Sequence, residues 1–376
     1  MLRVVVDARS ISGRKSGVAG ALESLLRHLV PMAHDVRFLL LRHPRAEQPL
    51  FSHSSVEELT FPGETKSPAT VFGLGLAHRF SSWDLFHSAA DIVPLGLRCP
   101  WVVTIHDLMW VEAPEVASAF APVRLANRLW YRANFGRAVR GARRVIAVSE
   151  ATSRAIARVY PTDAEKVRVV HHGFDAARWD RSRAGPREIL DPFVPPGARY
   201  SLIVGQGSPY KNHAGMVRAF VEAVGDRTDH KLVLLRRFCR VDSEMRRLLA
   251  QPEVRRLVVP LPEVSDPILL TLYTHARMLL FASLYEGFGL PPLEAMGLGL
   301  PVLASSTDAL LEVTGDAALH ADPHDHAELV AKIRELDADA GLRARLSQAG
   351  ASRAREFSWQ RAARATLDVY REAAAG

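Results

Sequence analysis

Short runs of apolar, largely β-branched residues alternate with stretches of helical spacing, and the alternation runs twice along the 376 residues. A strand that is apolar on both faces needs cover on both, and a helix between successive strands supplies it. The pattern therefore predicts an α/β chain of parallel sheets with crossover helices. The first series reads as strands over Leu2–Asp7, Val36–Leu41, Asp84–His87, Trp101–Ile105, Arg144–Val148 and Val167–Val170, with a helix over Ala19–Leu29. From Asp180 to Arg199 the chain turns polar and Pro-rich without a period, which is a linker composition. A second series follows, with strands over Tyr200–Val204, Lys231–Leu235, Arg256–Val259, Met278–Ala282 and Pro301–Ala304. Helices are expected over Ala214–Val224, Asp266–His275 and Trp359–Ala374.

The length suits two cores rather than one. The expected division is a first domain over 1–178, a linker over 179–199, a second domain over 200–356, and a C-terminal helix over 357–376 that packs back on the first domain. Open sheets of this kind bind ligands beyond the carboxyl ends of their strands, so two of them offer facing crevices across a cleft. That architecture suits a donor on one side and an acceptor on the other, and it equally suits a binding protein.

Composition removes several classes. With 48% hydrophobic residues the chain buries cores without disulfides, and Cys99 and Cys239 read as ordinary thiols in a reducing compartment. The apolar run in MLRVVVDARS is too short for a signal peptide, and no run of about twenty apolar residues is present to span a membrane. The expected location is the cytoplasm, with peripheral contact at the inner face of the membrane left open. Essentially all of the net charge of +7 lies before about residue 178. This half lacks the interleaved aromatic and basic residues of a nucleic-acid binder, so no nucleic acid is expected, and anionic lipid or a phosphorylated acceptor fits better. Arg124, Arg128 and Arg132 recur every four residues beside Leu125, Leu129 and Trp130. Such a face can rest on an anionic membrane, and it can equally be plain solvated surface. The first strand is not followed by G-x-G-x-x-G, which argues against a dinucleotide dehydrogenase.

The most informative stretch is Ser283 to Met296, SLYEGFGLPPLEAM. It follows an apolar strand, and Pro291 and Pro292 suit the first turn of a helix. The loop Glu286-Gly287-Phe288-Gly289 thus sits where a strand hands over to a helix N-terminus. Amides there can point at anionic oxygens, and the glycines allow close approach. Glu286 projects from the loop while Glu294 lies about one turn into the helix, so both carboxylates can address one ligand from different ends. A Gly-containing turn with its helix dipole satisfied by an acid is the simpler alternative.

This segment resembles the Glu-x7-Glu signature of the retaining glycosyltransferases of family 4, whose fold of two Rossmann-like domains is called GT-B. The resemblance extends to VGQGSPYKNHAGMVRAF from Val204, AVSEATSRAI from Ala147, VRVVHHGFD from Val167, PVLASSTDALLEVTGDAALHADPHD and FSWQRAARATLDVY. It implies that Glu286 lies near the donor sugar and Glu294 binds the nucleotide ribose. The amides of Gly287, Phe288, Gly289 and Leu290 would hold sugar hydroxyls and diphosphate. Lys211 matches the family's phosphate-binding lysine, and an ammonium there offsets the charge of a departing diphosphate. Many members carry an arginine after the first glycine of that loop, where this chain has Gln206. Arg236 and Arg237, after the next strand, are candidates to compensate, or are solvated surface charges. Gln206 and Arg236 accordingly join the donor-binding set, and Gly17 joins it as a looser match to a Gly-rich loop after the first strand.

His106 and Asp107 end a strand in VVTIHDL. The resemblance places a histidine here near donor sugar and phosphate, where it would donate a hydrogen bond or align an acceptor hydroxyl, and His106 is counted with Glu286 and Lys211 as catalytic. A structural histidine satisfied by Asp107 is the alternative. His87 is a weaker candidate on the same logic, while His171 and His172 read as structural or interdomain. No Asp-x-Asp site or clustered ligand set points to a metal, and no cofactor beyond the co-substrate is expected.

The resemblance implies transfer of a hexose from a nucleoside diphosphate sugar to an acceptor hydroxyl with retained anomeric configuration. YKN in the diphosphate loop favours GDP-mannose or GDP-rhamnose, with a UDP-sugar as the alternative. A glycan, a lipid-linked glycan or a small molecule would each serve as acceptor, in glycan, polysaccharide or glycolipid biosynthesis. The rival readings are a sugar-nucleotide epimerase of the same fold and a non-catalytic nucleotide-sugar-binding scaffold.

Overall fold

The first strand, β1 (Leu2–Asp7), buries Val4, Val5 and Val6 completely, as an interior parallel strand with cover on both faces must. The computed structural model describes residues 1–12, 16–46, 49–118, 120–227, 229–237 and 243–375, with the backbone alone at Arg237. They form two units, one of Met1–Pro114, Phe120–Gly173 and Phe357–Gly376, the other of Glu115–Ala119 and Phe174–Glu356.

In the first unit β1 leads into α1 (Gly17–Met32), where the Ser16 hydroxyl caps the helix by accepting from Ala19 N at 3.1 Å. Ala19, Leu22, Leu26 and Leu29 form its buried stripe. The sheet continues with β2 (Val36–Arg42), β3 (Val56–Thr60), β4 (Leu85–Ser88) and β5 (Trp101–Ile105). After α2 (Ala121–Gly141) come β6 (Arg144–Ala147), α3 (Glu150–Val159), capped by Ser149, and β7 (Val167–Val169). All pairings are parallel, in the order β3-β2-β1-β4-β5-β6-β7. The winding reverses between β1 and β4.

The second unit runs β8 (Arg199–Gln206), α4 (His213–Val224), β9 (His230–Arg237), β10 (Val258–Leu261), α5 (Asp266–His275) and β11 (Leu279–Phe281). It continues through α6 (Leu290–Gly297), β12 (Val302–Ser305), β13 (Leu319–Ala321), α7 (His326–Ala338) and α8 (Ala340–Ala354). Among the described residues its six strands are parallel in the order β10-β9-β8-β11-β12-β13, reversing between β8 and β11. The last helix, α9 (Trp359–Ala375), belongs to the first unit and packs on α1. It buries Trp359, Ala363, Leu367 and Tyr370, and its Glu372 accepts from Arg144 and Arg168 at 2.8 and 2.9 Å. Gly173 lets the chain pass Trp359, since a Cβ there would lie 2.2 Å from the Trp359 amide nitrogen.

Two strands escape the sequence pattern. β3, Val-Glu-Glu-Leu-Thr, is a polar edge strand, and β13 is three residues long. Arg256 lies in the last turn of a short helix, Pro252–Leu257, rather than opening β10, because Pro252 and Glu253 favour a helix start. The Pro-rich stretch over 180–199 is packed into the second unit: it forms single helical turns at Arg181–Arg183 and Arg187–Leu190, and Leu190 and Val194 are fully buried.

Candidate functional site

In the second unit the carboxyl ends of β8 and β11 lie side by side where the winding reverses, the place at which an open sheet leaves a ligand crevice. Two loops meet there, Gln206–Asn212 and Ser283–Gly289. Their backbones are joined by Leu284 N donating to Tyr210 O at 2.7 Å. Asn212 adopts a left-handed conformation, φ +51°, which asparagine tolerates better than most residues. Its Nδ2 donates to Ala282 O and Pro323 O, each at 3.1 Å, fastening the loop to the end of β11. Gly215 makes room for that side chain, since a Cβ would stand 2.3 Å from Asn212 Oδ1.

This frame brings Lys211 and Glu286 together, 75 positions apart in sequence, with Nζ donating to Oε1 at 2.5 Å. Their side chains are 12% and 9% exposed, so the pair is largely out of water yet still reachable. Lys211 Nζ also lies 4.9 Å from the Tyr210 ring centroid and 5.2 Å from that of Phe281. Gly289 precedes α6 at φ +105°, and a Cβ there would meet Leu310 Cδ2 at 2.5 Å, so backbone and packing both require glycine. Buried Gly287, Phe288 and Gly289 with Leu290 form the N-terminal approach of α6, where the helix dipole favours an anion. Glu294, one turn on, accepts from the Tyr273 hydroxyl at 3.2 Å, and Tyr273 is fully buried on α5 with the Trp179 ring edge-on at 5.5 Å. Gln206 is exposed at the end of β8, and Arg236 Nη2 donates to Gly207 O at 3.3 Å, which places that guanidinium in the same loop. The Arg237 side chain and Cys239 lie outside the described residues.

In the first unit His106 directly follows β5. Its partner is Asp91 rather than Asp107: His106 N donates to Asp91 Oδ1 at 2.6 Å, and the ring Nε2 lies 3.0 Å from Ala89 O. Asp107 turns back on its own loop and accepts from Met109 N. Asp91 is 2% exposed, sits at φ +66°, and also pairs with Lys66. Burial acts against the Lys66 charge, but Asp91, Tyr131 and Asp107 together hold its pKa above the ordinary lysine value. Asp107 is held above the usual carboxylate range by burial and then by Asp91. Neither Lys66 nor Asp91 stood out in the sequence, although Asp91 follows β4 closely, as His106 follows β5.

The remaining candidates separate clearly. His87 is a core residue: it is fully buried, with Nδ1 2.7 Å from Tyr370 Oη and Nε2 2.8 Å from Thr104 Oγ1. Burial, and then His106, pushes its pKa down to about 3. His172 lies between the rings of His106 (5.6 Å) and Trp359 (5.5 Å), and burial holds it well below the ordinary histidine value. His171 meets the Phe357 ring. Gly17 is the first residue of α1, with nothing within 4 Å of where a Cβ would stand.

Solved structures share the architecture across the whole chain. Anabaena HepE, solved with UDP-glucose, superposes with a TM-score of 0.73 over 98% of this chain and 99% of that one, at 19% identity. Two parallel-sheet, Rossmann-like units of this kind define the GT-B class. Family models match on both units: "Glycosyltransferase Family 4" over residues 15–178 and "Glycosyl transferases group 1" over 191–353. The O-antigen chain mannosyltransferase B of Escherichia coli is 29% identical over 98% of this chain and the whole of its own. The MMP alpha-(1->4)-mannosyltransferase of Mycolicibacterium hassiacum is 30% identical over 80% of this chain and 73% of its own. The chain belongs to the family 4 glycosyltransferases and transfers a sugar.

Proposed function

We propose that this enzyme moves a hexose from a nucleoside diphosphate sugar to an acceptor hydroxyl with retained anomeric configuration, without a metal ion. The Lys211–Glu286 pair beside the α6 N-terminus carries the reading. A diphosphate competes with Glu286 for Lys211, and the lysine with the first-turn amides of α6 stabilises the negative charge that develops on the leaving group. Glu286, relieved of its partner, turns to the sugar and favours a cationic transition state. Glu294, oriented by Tyr273, takes the ribose hydroxyls, and Gln206 and Arg236 border the phosphates. His106, braced by Asp91 and Ala89, aligns the acceptor hydroxyl.

GDP-mannose is the favoured donor on the likeness to the Escherichia coli mannosyltransferase, and a UDP-sugar is the competitor on the likeness to HepE. The acceptor is a growing glycan, met at the cytoplasmic face of an anionic membrane. Phe72, Leu76, Leu125 and Leu129 are 53 to 65% exposed, and the Phe72 ring touches Trp130 of α2. No Asp or Glu occurs in the sequence between Glu115 and Glu150, so this stretch carries a local excess of positive charge beside the exposed leucines.

The deciding measurement is thermal stabilisation by GDP, UDP, ADP and TDP, with Lys211→Ala and Glu294→Ala as controls. Nucleotide at about a hundred times its Kd adds roughly 2.7 kcal/mol. One nucleotide should stabilise the wild type, and both variants should weaken it. Absence of stabilisation by any of the four would sink the reading. Release of nucleotide that depends on an added acceptor separates transfer from epimerisation.

A further inference from the structure

The second unit has a cavity of about 420 Å³ at the amino ends of its strands, away from the loops that carry Lys211 and Glu286. Arg199 opens β8, Arg277 stands just before β11, and Arg181 and Arg343 complete a cationic wall that His275 borders. We infer that this cavity is a binding site for a phosphorylated small molecule, separate from the donor site. Four guanidiniums line one small volume, and among the described residues none that lines it is an acid. Three carboxylates, Asp229, Asp337 and Asp339, stand near the four guanidiniums, and one of them is also engaged by a fifth arginine. Asp229 takes Arg199 at 2.5 Å, while Asp337 is shared by Arg277 at 2.5 Å and Arg227 at 2.7 Å.

Arg181 and Arg343 are held by carbonyls, which orient a guanidinium without neutralising it. Arg181 Nη1 donates to Leu298 O at 3.0 Å, and Arg343 Nη1 donates to Leu336 O and Asp337 O at 2.8 and 2.6 Å. Burial, and then repulsion from Arg277, lowers the pKa of Arg343, as expected of cations crowded on one cavity. An anion placed among them relieves that repulsion, and planar guanidinium forks match phosphate oxygens in pairs. The volume exceeds that of phosphate alone and leaves room for the group it esterifies.

Inorganic phosphate and pyrophosphate are the probes, titrated calorimetrically into the full chain, wild type, Ala344→Glu, Arg199→Gln and Lys211→Ala. Ala344 lines the cavity from an exposed position on α8, so a carboxylate there changes charge while the packing stays intact. Circular dichroism and melting temperature verify the fold of each variant. The expected result is millimolar or tighter binding that survives Lys211→Ala. Ala344→Glu should weaken it by about tenfold or more, as should Arg199→Gln, on the scale of a lost charge-assisted contact. Wild type that takes up neither anion at millimolar concentration overturns the inference. So does binding that Ala344→Glu and Arg199→Gln both leave unchanged, or that Lys211→Ala abolishes.

Discussion

Glu294 and Lys211 each depend on a neighbour that their own segment does not supply. Tyr273, from α5, holds one oxygen of Glu294, and Glu286 holds Lys211. Removing the Tyr273 hydroxyl should therefore weaken nucleotide binding by about 1 kcal/mol, the net worth of an ordinary hydrogen bond, with kcat little changed. Isothermal titration of Tyr273→Phe measures it, and an unchanged Kd would refute that positioning role. Glu286→Gln keeps the shape and deletes the charge, so kcat should fall by about 10²–10³ with nucleotide affinity retained. Steady-state kinetics with the donor that the stabilisation screen identifies decides it. Glu286, Glu294 and Lys211 were legible as candidates because each lies in a local pattern, a strand handing over to a helix. Tyr273, Lys66 and Asp91 were not, because their partners come from segments 15 to 25 positions away and the chain marks none of them.

At the scale of elements, α6 enters at a left-handed glycine and leaves past Phe174. A Cβ at Gly297 would stand 2.3 Å from the Phe174 ring, so Gly297→Ala should destabilise the second unit by about 1–3 kcal/mol. Chemical denaturation gives the value, and an unaltered midpoint would show that the ring moves aside freely. α9 is the corresponding weak point of the first unit, where Trp359 is 3% exposed. Trp359→Ala should cost about 3–5 kcal/mol in the same assay. The helix also covers His87, which gives that unit a pH dependence. The folded pKa of His87 is pushed down to about 3, below the ordinary value near 6.5, so the unfolded chain binds a proton that the folded one refuses. Stability from this source is complete above about pH 6.5 and is lost as pH falls toward 3. His87→Gln should flatten the slope of stability against pH within that window, and a slope identical to wild type would assign the acid sensitivity elsewhere. The helical periodicity of α9 was plain in the sequence, but its destination on α1 was not, since an apolar stripe states that a face is buried and leaves open against what.

For the whole molecule the charge distribution matters more than the total. Essentially all of the +7 falls in the first half of the chain, and the exposed leucines of α2 lie among arginines. Among the described residues no helix is long and apolar enough to cross a membrane. Sedimentation with anionic vesicles at low salt should carry the protein down, neutral vesicles should not, and screening at high salt should release it. Leu125→Glu with Leu129→Glu should abolish the effect, and protein that stays in the supernatant with anionic vesicles would remove the membrane from the proposal. By itself the sequence determined the twofold βα series and the glycosyltransferase family, and it nominated two carboxylates as candidates, because each is written in neighbouring residues and their spacing. Tertiary structure decided the rest. It assigned His87 to the core and His106 to the Asp91 pocket, although both follow strands. It folded the Pro-rich stretch into the second unit and gathered four arginines on one cavity. Burial and charge at a point in space are sums over segments remote in sequence, and they take a value only once the chain has brought those segments together.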